Sequence, residues 1–459
     1  MTNGNKRHHK MDGREKRSKK KDVPNSAVSP QDDDSRATHG RGRFHRVLVT
    51  GAGGCVGSLV VQQLIGLGHD VRATDRPGAR QPDLAGALEG PRSESTELGS
   101  MEWVEGDLTD HAVAASLVRG VDAIIHTAAW VDIAVSFEQQ APINLYAVQD
   151  LYEVAREAGV RHFIHFSTGS LYAPKNGPIR EGDPLRATSA YEETKMLAED
   201  YLDAEPGPTV NMLRPALIYG PRGKVLVAPV ATVPELLSAL DGLVPGIEGG
   251  PKNNLVHSLD VARAAVHLLE HPQPDGSRFN VACDDLRTIG EYMAIVMRQG
   301  RVRLAPLRLP FPGSIVRAAL PLLTYERPVR LLNRTVSAIW NRTIRHHHLT
   351  GDLIPRVDRE AVPYLAGDTI FDNSAIKATG FEFRYPNFEE GWADTVRWYR
   401  EQKWLPETPP SRRRLLSAVR SGSSSHRSET ADAIEPFPNG SRAAAIGSNN
   451  QETDHGTAL

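Results

Sequence analysis

The 459-residue sequence predicts an α/β fold: a doubly wound parallel sheet, a smaller C-terminal α/β lobe and disordered termini. Three observations carry that expectation. Short apolar runs suit buried parallel strands: Val47-Leu48-Val49, Ala123-Ile124-Ile125-His126 and His162-Phe163-Ile164-His165-Phe166. Val56, Val60, Leu64 and Leu67 follow the first run at helical spacing, and Gly68-His69-Asp70 ends that helix. The rhythm then repeats, with Val71 to Thr74 as a strand and Leu145 to Glu157 as a helix. Strands alternating with helices build a parallel sheet wound on both faces. Past about Pro221 the alternation breaks down, and prolines and short helices dominate.

Bulk composition narrows the function classes. Lys and Arg number 54 against 56 Asp and Glu, a net charge of -2, so the whole chain offers no electrostatic case for nucleic acid. Cys55 and Cys283 are the only cysteines, which disfavours a disulfide framework or a cysteine zinc site and fits a reducing, cytoplasmic setting. No apolar run reaches the ~18 residues of a membrane-spanning helix, and the polar, basic N-terminus is not a secretory signal. Residues 1–43 are polar and basic and read as a disordered tail. Its run Arg14 to Lys21 either solubilises the chain or touches anionic lipid or nucleic acid. Residues 407–459 read as a second disordered tail.

Thr50-Gly51-Ala52-Gly53-Gly54-Cys55-Val56-Gly57 places three glycines at spacings of three between a strand and a helix. Gly51 permits the turn, Gly54 lets backbone approach a pyrophosphate, and Gly57 lets helix pack on strand. The helix N-terminus offers free N–H groups to phosphates, so Gly51, Gly54, Cys55, Val56 and Gly57 are the expected cofactor contacts. The Cys55 thiol is assigned no chemistry. Asp75, 18 positions after Gly57, ends the second strand, where a carboxylate accepts from ribose hydroxyls and repels a 2′-phosphate. NAD is therefore favoured over NADP, although Arg76 works against that preference. A Rossmann domain is expected over 44–222, and a substrate-binding lobe with returning Rossmann elements over 223–406.

Tyr191 and Lys195 are four apart, one above the other on a helix. A lysine ammonium one turn from a phenol stabilises the phenolate, and can hold the nicotinamide ribose. Ser167-Thr168 follows the strand ending at Phe166, where a hydroxyl can bond the substrate oxygen that Tyr191 protonates or deprotonates.

With these motifs in order, the sequence resembles the extended short-chain dehydrogenases/reductases over about residues 45–403. The resemblance rests on Thr50 to Gly57, Gly106-Asp107-Leu108, His126 to Ala129, Phe166 to Thr168, and Tyr191 to Lys195. It continues through Leu213-Arg214-Pro215, Tyr219 to Pro221 and Val256 to Ala262. It implies that Asp107 and Leu108 flank the adenine and that Ala128 lies along the cofactor. Thr168 takes the catalytic Ser/Thr position, and Pro215 lies beside the nicotinamide. It also implies a homodimer through the helix carrying Tyr191 and its neighbour.

Three reaction classes share that scaffold. A dehydratase carries Asp-Glu after the catalytic Thr, where this chain has Gly169-Ser170. An epimerase usually carries Arg shortly before the Val-His-x-x-Asp segment, where this chain has Lys252-Asn253-Asn254; Lys252 can substitute only as a point charge. The third class resembles 3β-hydroxysteroid and sterol-4-carboxylate dehydrogenases, through His126 to Asp132 and an apolar insertion from Ile315 to Trp340. Such an insertion covers an apolar substrate, lies peripherally on a membrane surface, or is an ordinary helical subdomain core. Arg317, Arg327, Arg330 and Arg334 within it can instead pair with a substrate phosphate. The expected reaction is NAD-dependent oxidation of a secondary ring alcohol. A nucleotide-sugar epimerase is the alternative, and a catalytically silent dinucleotide sensor a second one. Arg345 to His348 read as a solvated loop rather than a metal site. Asp260 reads as a helix cap, and the role of Asn144 stays open.

Overall fold

The computed structural model describes residues 44–84, 97–132, 135–237, 243–314, 326–356 and 363–407. The expected tails, with the basic run Arg14 to Lys21, and Arg317 lie outside the described residues, as do the side chains of Arg327 and Arg330. At the centre is a seven-stranded parallel sheet. Its strands are β1 (Arg46–Thr50), β2 (Asp70–Asp75), β3 (Met101–Glu105), β4 (Ala123–His126), β5 (His162–Phe166), β6 (Thr209–Pro215) and β11 (Ser277–Val281). Their order is β11-β6-β5-β4-β1-β2-β3. The order reverses between β1 and β4, which pair from Val47↔Ala123 to Thr50↔His126. A crevice at the C-terminal ends of the strands is the binding place of such a sheet.

The apolar runs form the strands expected of them, because both faces are covered. Val47, Leu48, Val49, Ile124 and Ile125 are fully buried. Helix α1 (Gly57–Gly66) buries Val60, Val61, Leu64 and Ile65, while Val56 and Leu67 flank it half-buried. Around the sheet lie α2 (His111–Leu117), α3 (Phe137–Ala141), α4 (Ala147–Glu157) and α5 (Ala190–Ala204). The expected helix from Leu145 to Glu157 is divided: a π-helical turn, Pro142–Tyr146, precedes α4.

The region after Pro221 is more regular than the sequence suggests. Beyond β7 (Ile218–Tyr219), which precedes it, it contains α6 (Val233–Leu237), β8 (Val244–Glu248), β9 (Lys252–Asn254), β10 (Val256–His257) and α7 (Ser258–Glu270). Helix α7 packs on α1, and β11 returns to the sheet edge beside β6. Then come β12 (Leu286–Thr288), α8 (Ile289–Gln299) and β13 (Leu304–Pro310). Helices Glu326–His347, Ser374–Ala378 and Phe388–Glu401 follow. Two local expectations are corrected. His257, not Asp260, caps α7, its Nδ1 accepting from Leu259 N at 3.1 Å. The buried Asp260 carboxylate instead accepts from the N–H groups of Arg384 (2.6 Å) and Tyr385 (2.9 Å). Arg345, His346 and His347 form the last turn of the 326–347 helix rather than a loop.

A buried ion pair bolts α5 to the sheet. Arg214 on β6 and Glu199 on α5 are both shut from water. Arg214 Nε donates to Glu199 Oε1 at 2.9 Å, and Nη2 donates to Oε2. Arg214 Nη1 also donates to Tyr172 Oη at 3.0 Å. Burial alone would raise the Glu199 carboxyl, but the bonds and charge of Arg214 outweigh it and hold it below its ordinary value. Glu199 also accepts from Arg278 Nε at 3.3 Å, but removing Glu199 leaves the Arg214 charge in a dry interior with only Tyr172 Oη and Glu181 O as acceptors. Glu199→Ala is expected to lower the unfolding free energy by about 3–5 kcal/mol, read by urea denaturation, while the double variant Glu199→Leu/Arg214→Met loses distinctly less.

Candidate active site

The glycine loop lies at the C-terminal end of β1, and steric contact explains its sequence. Gly51 has φ +65°, and a Cβ there would sit 2.8 Å from Ala128 Cα. At Gly57 a Cβ would lie 2.2 Å from the Gly51 carbonyl oxygen and 2.7 Å from Thr127 Oγ1. Gly54 is less constrained: its Cβ would meet only the Gly51 oxygen, at 3.1 Å. The N–H groups of Cys55, Val56 and Gly57 donate to no acceptor among the described residues, and α1 has no side-chain cap. Unfilled N–H groups at a helix N-terminus fit an anion such as a diphosphate.

Asp75 closes this corner. Its Oδ2 accepts from Gly53 N at 2.8 Å and its Oδ1 from Arg76 N at 2.8 Å. Arg76 is exposed. Gly53, which sequence reasoning passed over, is constrained as well, since a Cβ there would lie 2.7 Å from the Arg80 carbonyl oxygen. The Cys55 thiol donates to Pro221 O at 3.1 Å, and burial pushes it up to about 11. At the neighbouring strand ends, Asp107 Oδ1 accepts from Thr109 N (2.9 Å) and Oγ1 (2.8 Å). Leu108 is buried, Ala128 abuts Gly51, and Pro215 ends β6 opposite Val281.

Helix α5 opens with Ser189, whose Oγ accepts from Glu192 N at 3.2 Å. That cap places Tyr191 in the first turn, half-buried, and Lys195 one turn on, only 1% exposed. Lys195 Nζ donates to Phe166 O, at the end of β5, at 2.8 Å. Burial lowers the Lys195 ammonium to about 8, with Glu199 pulling the other way. Thr168, two residues past Phe166, caps the short 3₁₀ turn Gly169–Leu171: its Oγ1 accepts from Ser170 N at 3.2 Å and lies 3.0 Å from Ser170 Oγ. Gly169 has no room for a side chain, since a Cβ would lie 2.7 Å from the Phe371 ring and 2.9 Å from Pro215 O.

Two groups beside this site carry no assignment from sequence. His126 and His165 occupy paired positions on β4 and β5, fully buried, with rings stacked 5.6 Å apart. Burial, and then the Lys195 charge, keep both neutral; His126 falls to about 3. His126 Nδ1 bonds Thr50 Oγ1 at 2.9 Å. The only sequence signal was a histidine near the end of each of two adjacent strands. Asn144, in the π turn, grips the loop after β4: its Oδ1 accepts from Trp130 N at 2.8 Å and its Nδ2 donates to Trp130 O at 2.9 Å.

Residues 47–282, which hold all of these groups, match the model of the NAD dependent epimerase/dehydratase family. The chain belongs to that family. Among relatives of this epimerase/dehydratase member is the 3 beta-hydroxysteroid dehydrogenase/Delta 5-->4-isomerase of Mycobacterium tuberculosis. It is 30% identical over 253 residues, covering 50% of this chain and 62% of that protein. The dTDP-4-dehydro-6-deoxy-D-allose reductase of Streptomyces bikiniensis is 31% identical over 333 residues, covering 66% of this chain and 96% of its own. The chain thus spans about three fifths of the steroid-type relative and nearly all of the sugar-type one. Among solved structures, the dTDP-glucose 4,6-dehydratase of Streptomyces venezuelae shares the fold, with TM-score 0.56 and 23% identity over 79% of this chain and 99% of that one.

Lys195 binds its proton less tightly when folded (about 8) than at its ordinary 10.5, so the unfolded chain holds more protons between those values. Stability rises with pH where that is so. Relative to Lys195→Met, the parent should therefore gain stability as pH rises from about 8 towards 10.5, by roughly 3 kcal/mol in all. Thermal melts of both proteins across that range check it, and parallel curves would contradict it.

Proposed function

We propose that this family member is an NAD-dependent oxidoreductase that oxidises a secondary ring alcohol of an apolar, steroid- or sterol-like substrate. The observation that carries the proposal is Lys195. It is a desolvated ammonium tied to Phe166 O at the end of β5, two residues before Thr168 and one turn past Tyr191, at the same edge of the sheet as the glycine loop. NAD, when bound, supplies the hydride acceptor. Gly51, Gly54, Cys55, Val56 and Gly57 hold its diphosphate, Asp75 with Arg76 borders the adenosine ribose, Asp107 and Leu108 flank the adenine, and Ala128 and Pro215 line the way to the nicotinamide. The Tyr191 phenolate takes the proton from the substrate hydroxyl. Lys195 stabilises that phenolate by its charge and holds the nicotinamide ribose. Thr168 Oγ1 turns from Ser170 to bond the substrate oxygen. Substrate is held by the lobe over 223–406.

Several features support the substrate class. Gly169 excludes the acid that a dehydratase carries after its threonine. Asn253 and Asn254 are committed to main-chain partners, Tyr364 O (3.3 Å) for the first and Phe371 O (2.9 Å) for the second. That leaves only the exposed Lys252 as a cation in the segment where an epimerase holds its diphosphate. Arg334, Arg342 and Arg345 are exposed on the side of their helix opposite the buried Trp340. A second reading, chemistry on a nucleotide sugar, is favoured by one observation: the match to the allose reductase runs over 96% of that protein.

Tyr191→Phe is expected to leave NAD binding near normal and to cut turnover by about 10²–10⁴-fold. Calorimetry for binding and NADH absorbance for turnover, on a panel of 3β-hydroxysteroids and UDP- and dTDP-sugars, check both. Retained activity in the variant would sink the mechanism. Turnover confined to the sugars would replace the apolar substrate with the second reading. Tight NAD binding with no turnover of any alcohol would favour a dinucleotide sensor.

A further inference from the structure

Charge is distributed very unevenly along the chain. From Tyr292 to Gly351 there are ten arginines, no lysine, no aspartate and a single glutamate, Glu326, whereas the whole chain is close to neutral. The 326–347 helix lies within this stretch. Its inner side is set by Trp340, fully buried in a core with Tyr292, Ile295 and Val296 of α8. Trp340 Nε1 donates to Leu353 O at 2.8 Å. Val336, Thr343 and Ile344 share that side. The outer side mixes two residue types. Leu331, Leu332 and Ile339 are 68%, 44% and 52% exposed. Arg334, Arg342 and Arg345 are exposed beside them and form no ion pair with any described residue. No acid occurs between Leu331 and Thr350. Strand β13, in the same arginine-rich stretch, repeats the mixture: Leu307 and Leu309 are exposed on either side of Arg308.

We propose that the outer side of the 326–347 helix is a docking surface for an anionic lipid bilayer, on which the helix lies in the plane of the headgroups. Charge complementarity selects this occupant. Guanidinium groups pair with lipid phosphates, while leucine and isoleucine enter the acyl boundary. A second copy of the chain would bring the same positive charge to the contact and be repelled. A nucleic acid would use the arginines but leave the aliphatic side chains in water. Among the described residues no helix is long and apolar enough to cross a membrane, so the contact is superficial. The inference is independent of the substrate reading.

Co-sedimentation of the full chain with vesicles tests it. Phosphatidylcholine vesicles containing phosphatidylglycerol should pellet the protein, and vesicles of phosphatidylcholine alone should not. Raising salt should release it, since the Debye length falls from ~10 Å at 0.1 M to ~3 Å at 1 M. Each arginine at such a surface contributes about fivefold, so Arg334→Glu/Arg342→Glu/Arg345→Glu should weaken binding by at least about a hundredfold. Leu331→Ser/Leu332→Ser/Ile339→Ser should also weaken binding and leave a residue that salt removes completely. All six positions are exposed, so circular dichroism melts of both variants should match the parent. Vesicle binding unchanged by the arginine reversals would overturn the proposal and assign the binding to the basic run Arg14 to Lys21. Equal binding to neutral vesicles, no binding to either kind, or preferential retention of RNA or duplex DNA would overturn it as well.

Discussion

Between Gly51 and Gly57 the main chain leaves no volume for a side chain, because the first turn of α1 rests on the carbonyl oxygen of Gly51 and on Thr127 Oγ1. That contact fixes the distance between α1 and the ends of β1 and β4, and so places the helix N-terminus over the point where the strand order reverses. The unfilled N–H groups, the Asp75 carboxylate and Ala128 all take their positions from it. Any side chain at Gly57 would lift α1 from the sheet and spoil these relations together.

A second constraint holds the other half of the site. Helix α5 carries both Tyr191 and Lys195, and it meets the sheet through the buried Arg214–Glu199 pair. A buried pair of this kind adds little net stability, but it fixes orientation, since any other register would leave both charges unmatched in a dry interior. The fixed register is what brings Lys195 Nζ to Phe166 O. Around that ammonium the protein places two neutral histidines rather than carboxylates, and only Glu199, engaged with Arg214, opposes the effect of burial. The lysine is thereby less strongly charged than one at the surface. Such destabilised groups are a usual cost of a working site.

Much of this was legible in the sequence, for identifiable reasons. Val47 to Val49, Ile124 and Ile125 read as strands because their faces are covered by helices, so apolar runs map directly onto sheet. The glycine spacing and the Tyr191/Lys195 interval are local properties, and they survive translation into three dimensions. Features that depend on distant partners were not legible. Asp260 looks like a helix cap from its position, yet its partners Arg384 and Tyr385 lie more than a hundred residues away. The half-buried β3 has a weak alternation that periodicity does not single out. The arginine-rich stretch was visible as composition, but only the burial of Trp340 divides its helix into an inner and an outer side.

The π turn at Pro142–Tyr146 has a consequence for how this site can change over generations. A primary amide reproduces the hydrogen-bonding edge of a peptide unit, and Asn144 uses it to bind both main-chain groups of Trp130. Among the described residues, the loop after β4 is thus attached to its neighbour through side chains, Asn144 at Trp130 and Gln140, whose Nε2 donates to Asp132 O, instead of a ladder of strand bonds. Loop length and composition around Trp130 can drift while those side-chain attachments persist, leaving the sheet and the glycine loop untouched. A scaffold with such a detachable rim can explore new substrates at small risk to its own folding.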